Sequence, residues 1–216
     1  MRYRAVIFDL DGTLLNTLED LAASTNAALA AFGMPERTVD QVRQMVGNGL
    51  GMLIRRAVPE GTPEQTQAGV LAAMKAHYAE HVMDKTCLYP QAEQVLSALK
   101  QAQIPCAVVS NKADFSVQQL HRAFFTGLVA RSFGEQPGYG RKPDPGLTLL
   151  ALQKLGVSPA EAVYVGDSEV DAATAKNAGM DGVLVDWGFR PRRELEGLGC
   201  PVVSSARELL ERLLQD

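Results

Sequence analysis

A short apolar run at the amino terminus, Arg4 to Phe8, ends in Asp9-Leu10-Asp11-Gly12, and no second strand of its kind begins until about Ile104. The run is partly β-branched with a turn residue at its end, the pattern of a fully buried strand. A parallel crossover needs only about a dozen residues, and the span here is several times longer. It reads as helix. Leu18, Leu21, Ala22, Thr25, Ala28, Leu29 and Phe32 keep helical spacing up to Gly33 and Pro35. Further helices are expected near Val39–Val46, Leu50–Val58 and Pro63–Met83, before an ordinary crossover helix carrying Ala92, Val95, Leu96, Leu99 and Ala102. The economical explanation is a helical subdomain over 15–83, inserted above the carboxyl end of the first strand.

From Ile104 onward, strand and helix alternate. Strands are expected at Ile104–Ser110, weakly at Leu128–Phe133, at Ala162–Val165 and finally at Gly182–Val185. Between them lie helices near Phe115–Phe124, after Asp144-Pro145 (N-cap and first turn, closed by Gly156), and up to Ala178 and Gly179. Ser205 and Glu208 form a capping box for a last helix, Ala206–Leu214. The expected fold class is α/β: a doubly wound, Rossmann-like parallel-sheet core made of 1–14 and 84–216, with an inserted α-helical cap at 15–83.

All strands of a parallel sheet open their carboxyl ends on one edge, so residues there share one cleft. The first strand offers Asp9 and Asp11, at a spacing that sends both side chains to the same side if strand geometry persists. Two such carboxylates repel, so one stays protonated unless a cation sits between them. A hard ion such as Mg²⁺, held by carboxylates and a substrate phosphate, suits the pair. Gly12 lets the backbone turn close to whatever occupies that spot. The Ile104 strand offers Ser110 and Asn111, with Lys112 next, and the Ala162 strand offers Asp167, with Asp171 one helical turn on. Lys142 arrives from the loop before Pro145. Acids, a lysine, a hydroxyl and a helix amino terminus on one edge make an inventory for phosphate plus metal. Ser168-x-x-Asp171 is also a capping box in its own right, which gives Asp171 a structural alternative.

The 216 residues carry 21 basic against 25 acidic side chains, a net charge of −4, with no basic run. Nucleic acid and anionic membrane are not expected partners. Cys87, Cys106 and Cys200 are an odd number and far apart, so reduced thiols in a cytoplasmic protein are expected. No signal peptide is expected ahead of the first strand, and no apolar run is long enough to span a bilayer.

The four motifs together resemble those of the haloacid dehalogenase-like hydrolases, and within them the phosphoglycolate phosphatase-like group. Phe8–Leu14 is similar to the first motif, Val109–Lys112 to the second, Lys142–Pro145 to the third and Gly166–Asp171 to the fourth. The insert resembles that family's helical cap. Its Val46-Gly47-Asn48-Gly49 stretch, followed by Leu53–Ala57 with Arg56, is similar to the cap signature of phosphoglycolate phosphatases.

This resemblance implies that Asp9 attacks phosphorus to form an aspartyl-phosphate. Asp11 would protonate the leaving oxygen and then activate water. It implies Mg²⁺ on the Asp9 carboxylate, the main-chain carbonyl of Asp11 and the Asp167 carboxylate. Ser110 and Lys142 would hold the transferring phosphoryl group, with Gly12, Thr13 and Asn111 beside them; Ser168 and Asp171 would support, and Gly47, Asn48, Gly49 and Arg56 are candidates for substrate contact. Asp11 argues for phosphate esters, since relatives acting on carbon–halogen or carbon–phosphorus bonds are expected to lack it. Asn16 departs from the aspartate many relatives carry. The implied activity is hydrolysis of a small phosphorylated metabolite, 2-phosphoglycolate first, by a monomer or homodimer. The alternatives are another sugar-phosphate, nucleotide or pyrophosphate phosphatase, a phosphoglucomutase, or a non-catalytic metabolite-binding regulator. His77 and His81 are read as a plain helix face, Trp187 and Phe189 as packing, and Arg190, Arg192 and Arg193 as a solvated cluster.

Overall fold

The structure, a computed structural model, describes residues 3–47 and 49–214. Strand β1 (Ala5–Phe8) is wholly buried and leads to a two-residue strand β2 (Leu15–Asn16). Four helices follow: α1 (Leu18–Ala31), α2 (Val39–Met45), α3 (Gly49–Ala57) and α4 (Glu64–Glu80). A second two-residue strand, β3 (Cys87–Leu88), pairs with β2. Next come α5 (Pro90–Gln101), β4 (Cys106–Ala113), α6 (Asp114–Leu120), β5 (Arg131–Glu135), α7 (Gly146–Leu155), β6 (Ala162–Gly166), α8 (Glu169–Ala178), β7 (Asp181–Val185), α9 (Arg192–Leu195), β8 (Val202–Val203) and α10 (Ala206–Leu214).

Six strands form one sheet in the order β5-β4-β1-β6-β7-β8, every neighbouring pair parallel. The chain builds outward from β1 through β4 to β5, then returns to the other side of β1 for β6. That reversal sets the topological switch point at β1. One face of the sheet buries Ile7, Ala107, Val109 and Tyr164 against Leu147, Ala151 and Leu152 of α7 and Ala175 and Ala178 of α8. The alternate residues Val6, Phe8, Val108, Val163 and Val165 are buried as well, as a sheet covered on both faces requires.

The chain divides into two compact units, one running to Leu15 and resuming at Leu88, the other Asn16–Cys87. The helical unit thus runs past 83. The reason is Asp20, whose buried carboxylate accepts from Lys85 N, Thr86 N and Thr86 Oγ1 at 2.8–3.1 Å and ties that segment to α1.

Other expectations shift. Val202–Val203 follows the strand expected to be last, and neither it nor the β2–β3 ribbon is long enough to show as a periodic run. The weak strand begins at Arg131 rather than Leu128, because Leu128 N and Val129 N close a turn on the Phe125 carbonyl. Helix α7 begins at Gly146, one residue later than expected, with Asp144 Oδ1 accepting from Gly146 N at 2.8 Å. At α10 the Ser205 hydroxyl accepts the Glu208 N–H at 3.2 Å, while the Glu208 carboxylate accepts from the Ser205 hydroxyl and the Ser204 N–H. Among the described residues no helix is long and apolar enough to cross a membrane.

Candidate active site

Strands β1, β4 and β6 lie side by side, so their carboxyl ends bring Asp9, Ser110 and Asp167 to one edge of the sheet. The Asp9 N–H donates to the Val165 carbonyl at 2.9 Å, so strand pairing with β6 continues into the site and fixes where that side chain leaves. Asp9, Asp167 and Asp171 are all buried, and one carboxylate oxygen of each lies within 4.8 Å of the others.

Lys142 stands among them, itself buried. Its Nζ donates to Asp9 Oδ1 at 2.6 Å, to Asp171 Oδ1 at 2.8 Å and to Tyr164 Oη at 3.1 Å. Those contacts take all three ammonium hydrogens. The lysine's main chain is clasped too: Asn111 Oδ1 accepts the Lys142 N–H at 2.7 Å and Asn111 Nδ2 donates to the Lys142 carbonyl at 3.0 Å. Asn111, expected beside the phosphoryl group, therefore spends its amide on placing the lysine.

Asp171 does two jobs at once. Its Oδ2 accepts from Asp167 N, Ser168 N and Ser168 Oγ at 2.6–3.2 Å, completing the capping box of α8, while Oδ1 takes Lys142. Asp167 is held by the Phe189 N–H at 2.8 Å and the Thr13 hydroxyl at 3.3 Å, so the hydroxyl of Thr13 serves this acid. Gly12 stands at φ +89°, and a Cβ there or on Gly188 would collide with the Asp167 carboxylate. Only glycine allows that approach. Ser110 Oγ accepts the Lys112 N–H at 3.2 Å, which leaves the hydroxyl hydrogen to donate.

Asp11 is outside the trio. Its Oδ1 accepts from Lys112 Nζ at 2.9 Å. The side-chain trio is thus Asp9, Asp167 and Asp171, and the contribution implied for Asp11 is a main-chain carbonyl, which the trio does not involve. In the helical unit, Arg56 Nη1 donates to the carbonyls of Met45 at 2.7 Å and Gly47 at 3.5 Å, closing the end of α2. Gly47 and Gly49 both have positive φ, and Asn48 lies outside the described residues.

Burial and then the Asp171 charge push the Asp9 carboxyl up from 3.8 to about 7, against the pull of Lys142. Burial and then the Asp171 and Asp9 charges raise Asp167 well above the usual carboxylate range, against the Phe189 N–H and Lys142. For Lys142, burial pushes downward, but Asp171 and Asp9 together raise it well above its ordinary value and keep it charged. Three buried carboxylates around a single ammonium hold more negative charge than they can keep without protons or a cation. An all-carboxylate donor set of this kind fits a hard divalent ion.

Sequence patterns did not mark Tyr164, which reads as one more apolar residue of its strand, and they gave Phe189 only a packing role, whereas it acts on Asp167 through its main chain. Trp187 Nε1 donates to the Thr13 carbonyl at 3.2 Å and so braces the first loop rather than only packing. Arg192 is not simply solvated: it pairs with Asp186 at 3.1 Å and Glu196 at 2.9 Å. His77 and His81 stack at 4.1 Å between centroids, with their Nδ1 atoms on Ser24 and Asp84.

Comparison with known proteins identifies the family. The family model described as haloacid dehalogenase-like hydrolase matches residues 6–185. Phosphoglycolate phosphatase 1 of Pseudomonas aeruginosa is 33% identical over 215 residues, covering 96% of this chain and 78% of its own. The phosphoglycolate phosphatase of Mannheimia succiniciproducens is 35% identical, covering 87% of this chain and 88% of its own. A crystal structure from Lactobacillus delbrueckii subsp. bulgaricus, provisionally assigned as a phosphoglycolate phosphatase, superposes with a TM-score of 0.94 at 33% identity over the whole of both chains. The chain belongs to the haloacid dehalogenase-like hydrolase family, in its phosphoglycolate phosphatase-like group.

Proposed function

We propose that this phosphatase hydrolyses small phosphate monoesters, 2-phosphoglycolate first among them, with Mg²⁺ and through an aspartyl-phosphate on Asp9. The observation that supports the reading best is the buried trio Asp9, Asp167 and Asp171 with the Lys142 ammonium in its midst. A binding protein for a phosphorylated metabolite needs cations and amides toward its anionic ligand, not a cluster of acids. The names of the relatives point to 2-phosphoglycolate.

In the first half-reaction an Asp9 oxygen attacks phosphorus, the new O–P bond forms as the ester P–O bond breaks, and Asp11 gives its proton to the departing oxygen. In the second, water attacks the phosphorus of the aspartyl-phosphate, gives a proton to Asp11, and free phosphate leaves as the Asp9 carboxylate is restored. Lys142 and the Ser110 hydroxyl face the charge that develops on the phosphoryl oxygens. Asp9, Asp167 and the main-chain carbonyl of Asp11 would hold Mg²⁺, with Asp171 closing the set of carboxylates. When bound, the ion supplies positive charge toward the phosphoryl group and orients it. Asn111 and Tyr164 act on the reaction only through Lys142. The helical unit Asn16–Cys87 is read as the family's cap domain. Three free cysteines fit a reducing cytoplasm.

The test is phosphate release from a panel of monoesters, 2-phosphoglycolate included, with Mg²⁺ and with EDTA, using Asp9→Asn as the blank. Mg²⁺-dependent release that favours 2-phosphoglycolate is the expected result. Mg²⁺-dependent release with another favourite keeps the chemistry and moves the substrate. Transfer between sugar phosphates without net release would make the protein a mutase. Turnover by Asp9→Asn at the wild-type rate would overturn the mechanism.

A further inference from the structure

Lys112 is a buried charge that the reaction above leaves unused. It follows Ser110 and Asn111 near the end of β4. Its side chain is only 7% exposed, and its Nζ lies 2.9 Å from Asp11 Oδ1, while the Asp11 side chain is 23% exposed. The Ser110 hydroxyl accepts the Lys112 main-chain N–H at 3.2 Å, so the root of this lysine is held as well as its tip.

Asp11 is two residues from Asp9, yet the carboxylates that gather are those of Asp9, Asp167 and Asp171. A divalent ion collects carboxylate oxygens, and an unrestrained carboxylate this close to such a site is drawn onto it. Spent that way, the group cannot serve a leaving oxygen. An ammonium on one of its oxygens holds the carboxylate back and leaves the other oxygen for the ester.

We propose that Lys112 is a positioning residue for Asp11: it pins the carboxylate apart from the acidic trio and aimed at the leaving oxygen. The proposal rests on the reading of Asp11 as proton donor and acceptor. Burial separates it from direct substrate recognition, because the lysine is the covered partner and the carboxylate the open one. Stability alone cannot decide, since a buried ion pair is often replaceable by apolar groups at little cost. Dependence on the leaving group can.

When the ester bond breaks, its electron pair stays on the leaving oxygen. An alkoxide needs the Asp11 proton there, whereas p-nitrophenolate departs as a stable anion without it. Through kcat/KM, which covers only the steps up to phospho-enzyme formation, the two esters report on proton transfer separately from the later hydrolysis. Lys112→Met is expected to lower kcat/KM for an alkyl monoester on the order of 10²-fold, the lower range for a displaced general acid, and that for p-nitrophenyl phosphate far less. Lys112→Arg should recover part of the alkyl loss. Lys112→Gln gives a second neutral variant if the methionine does not fold, and thermal melts with Mg²⁺ identify which variants are folded. Asp11→Asn sets the ceiling for the split. Equal losses on both esters, or none, in folded Lys112 variants while Asp11→Asn still separates them would overturn the proposal and leave Asp11 its role. No separation by Asp11→Asn would overturn that role and the proposal with it.

Discussion

Lys142 Nζ lies 2.8 Å from Asp171 Oδ1, while the other oxygen of the same carboxylate caps the first turn of α8. One buried acid thus joins the lysine facing the reaction to the helix that follows the fourth motif. Removing it takes away a cap and strands a buried ammonium beside a carboxylate of raised pKa. Asp171→Ala should lower stability by about 3–5 kcal/mol, read by urea denaturation in EDTA, with phosphatase activity falling in parallel. Asp171→Asn keeps an oxygen for the cap and should lose less.

Gly188 touches no reacting atom, but a methyl group there would collide with Asp167 Oδ2 and the Gly12 carbonyl. Gly188→Ala should therefore displace Asp167 and lower kcat about 10²-fold or more, the scale of a roughly 1 Å misplacement. Its far-ultraviolet circular dichroism should match the wild type, so the loss would be one of alignment.

The Asn111 clasp predicts a separable effect. Asn111→Ala leaves the Lys142 main-chain N–H and carbonyl without their partners, at a cost of about 1–3 kcal/mol. The lysine loses its fixed root, so kcat should fall more than KM rises, as expected for an interaction realised mainly in the transition state. Steady-state kinetics on an alkyl ester would show the split.

Metal and protons should compete. Asp9 titrates near 7 in the folded metal-free protein, against 3.8 ordinarily, and Asp167 moves the same way. A carboxyl raised on folding contributes most below its unfolded value, and that contribution is lost as pH climbs through the folded one. The metal-free protein should therefore lose stability between about pH 4 and pH 7. On the proposed reading Mg²⁺ would take the ionised carboxylates, so the gap in Tm between Mg²⁺ and EDTA should widen with pH across the same window. A gap that stayed flat would mean that these acids do not bind the ion.

Much of this site is visible in the order of residues, and the reason is physical. A parallel strand is an apolar run, its polar successor sits at the edge where ligands bind, and Asp9, Ser110 and Asp167 all occupy that position. The capping box at Ser168 and Asp171 is likewise a local pattern. What stayed hidden depends on pairs far apart in the chain: Asn111 on Lys142, Tyr164 on Lys142 and the Phe189 main chain on Asp167. A tyrosine in Ala162-Val163-Tyr164-Val165 looks like core until its hydroxyl is placed, and a main-chain donor leaves no trace in residue type. Strand Val202–Val203 was hidden for another reason, since two residues carry no periodicity.

The aspartyl-phosphate on Asp9 is the central claim, and trapping it is the most direct test. Asp11→Asn mixed with p-nitrophenyl phosphate and Mg²⁺ should form the intermediate without proton donation and hydrolyse it slowly. Acid quenching followed by peptide mass spectrometry should then find one phosphoryl group on Asp9, labile to hydroxylamine. Release of p-nitrophenolate with no phosphoryl group on the protein, or with the group on another residue, would contradict the account.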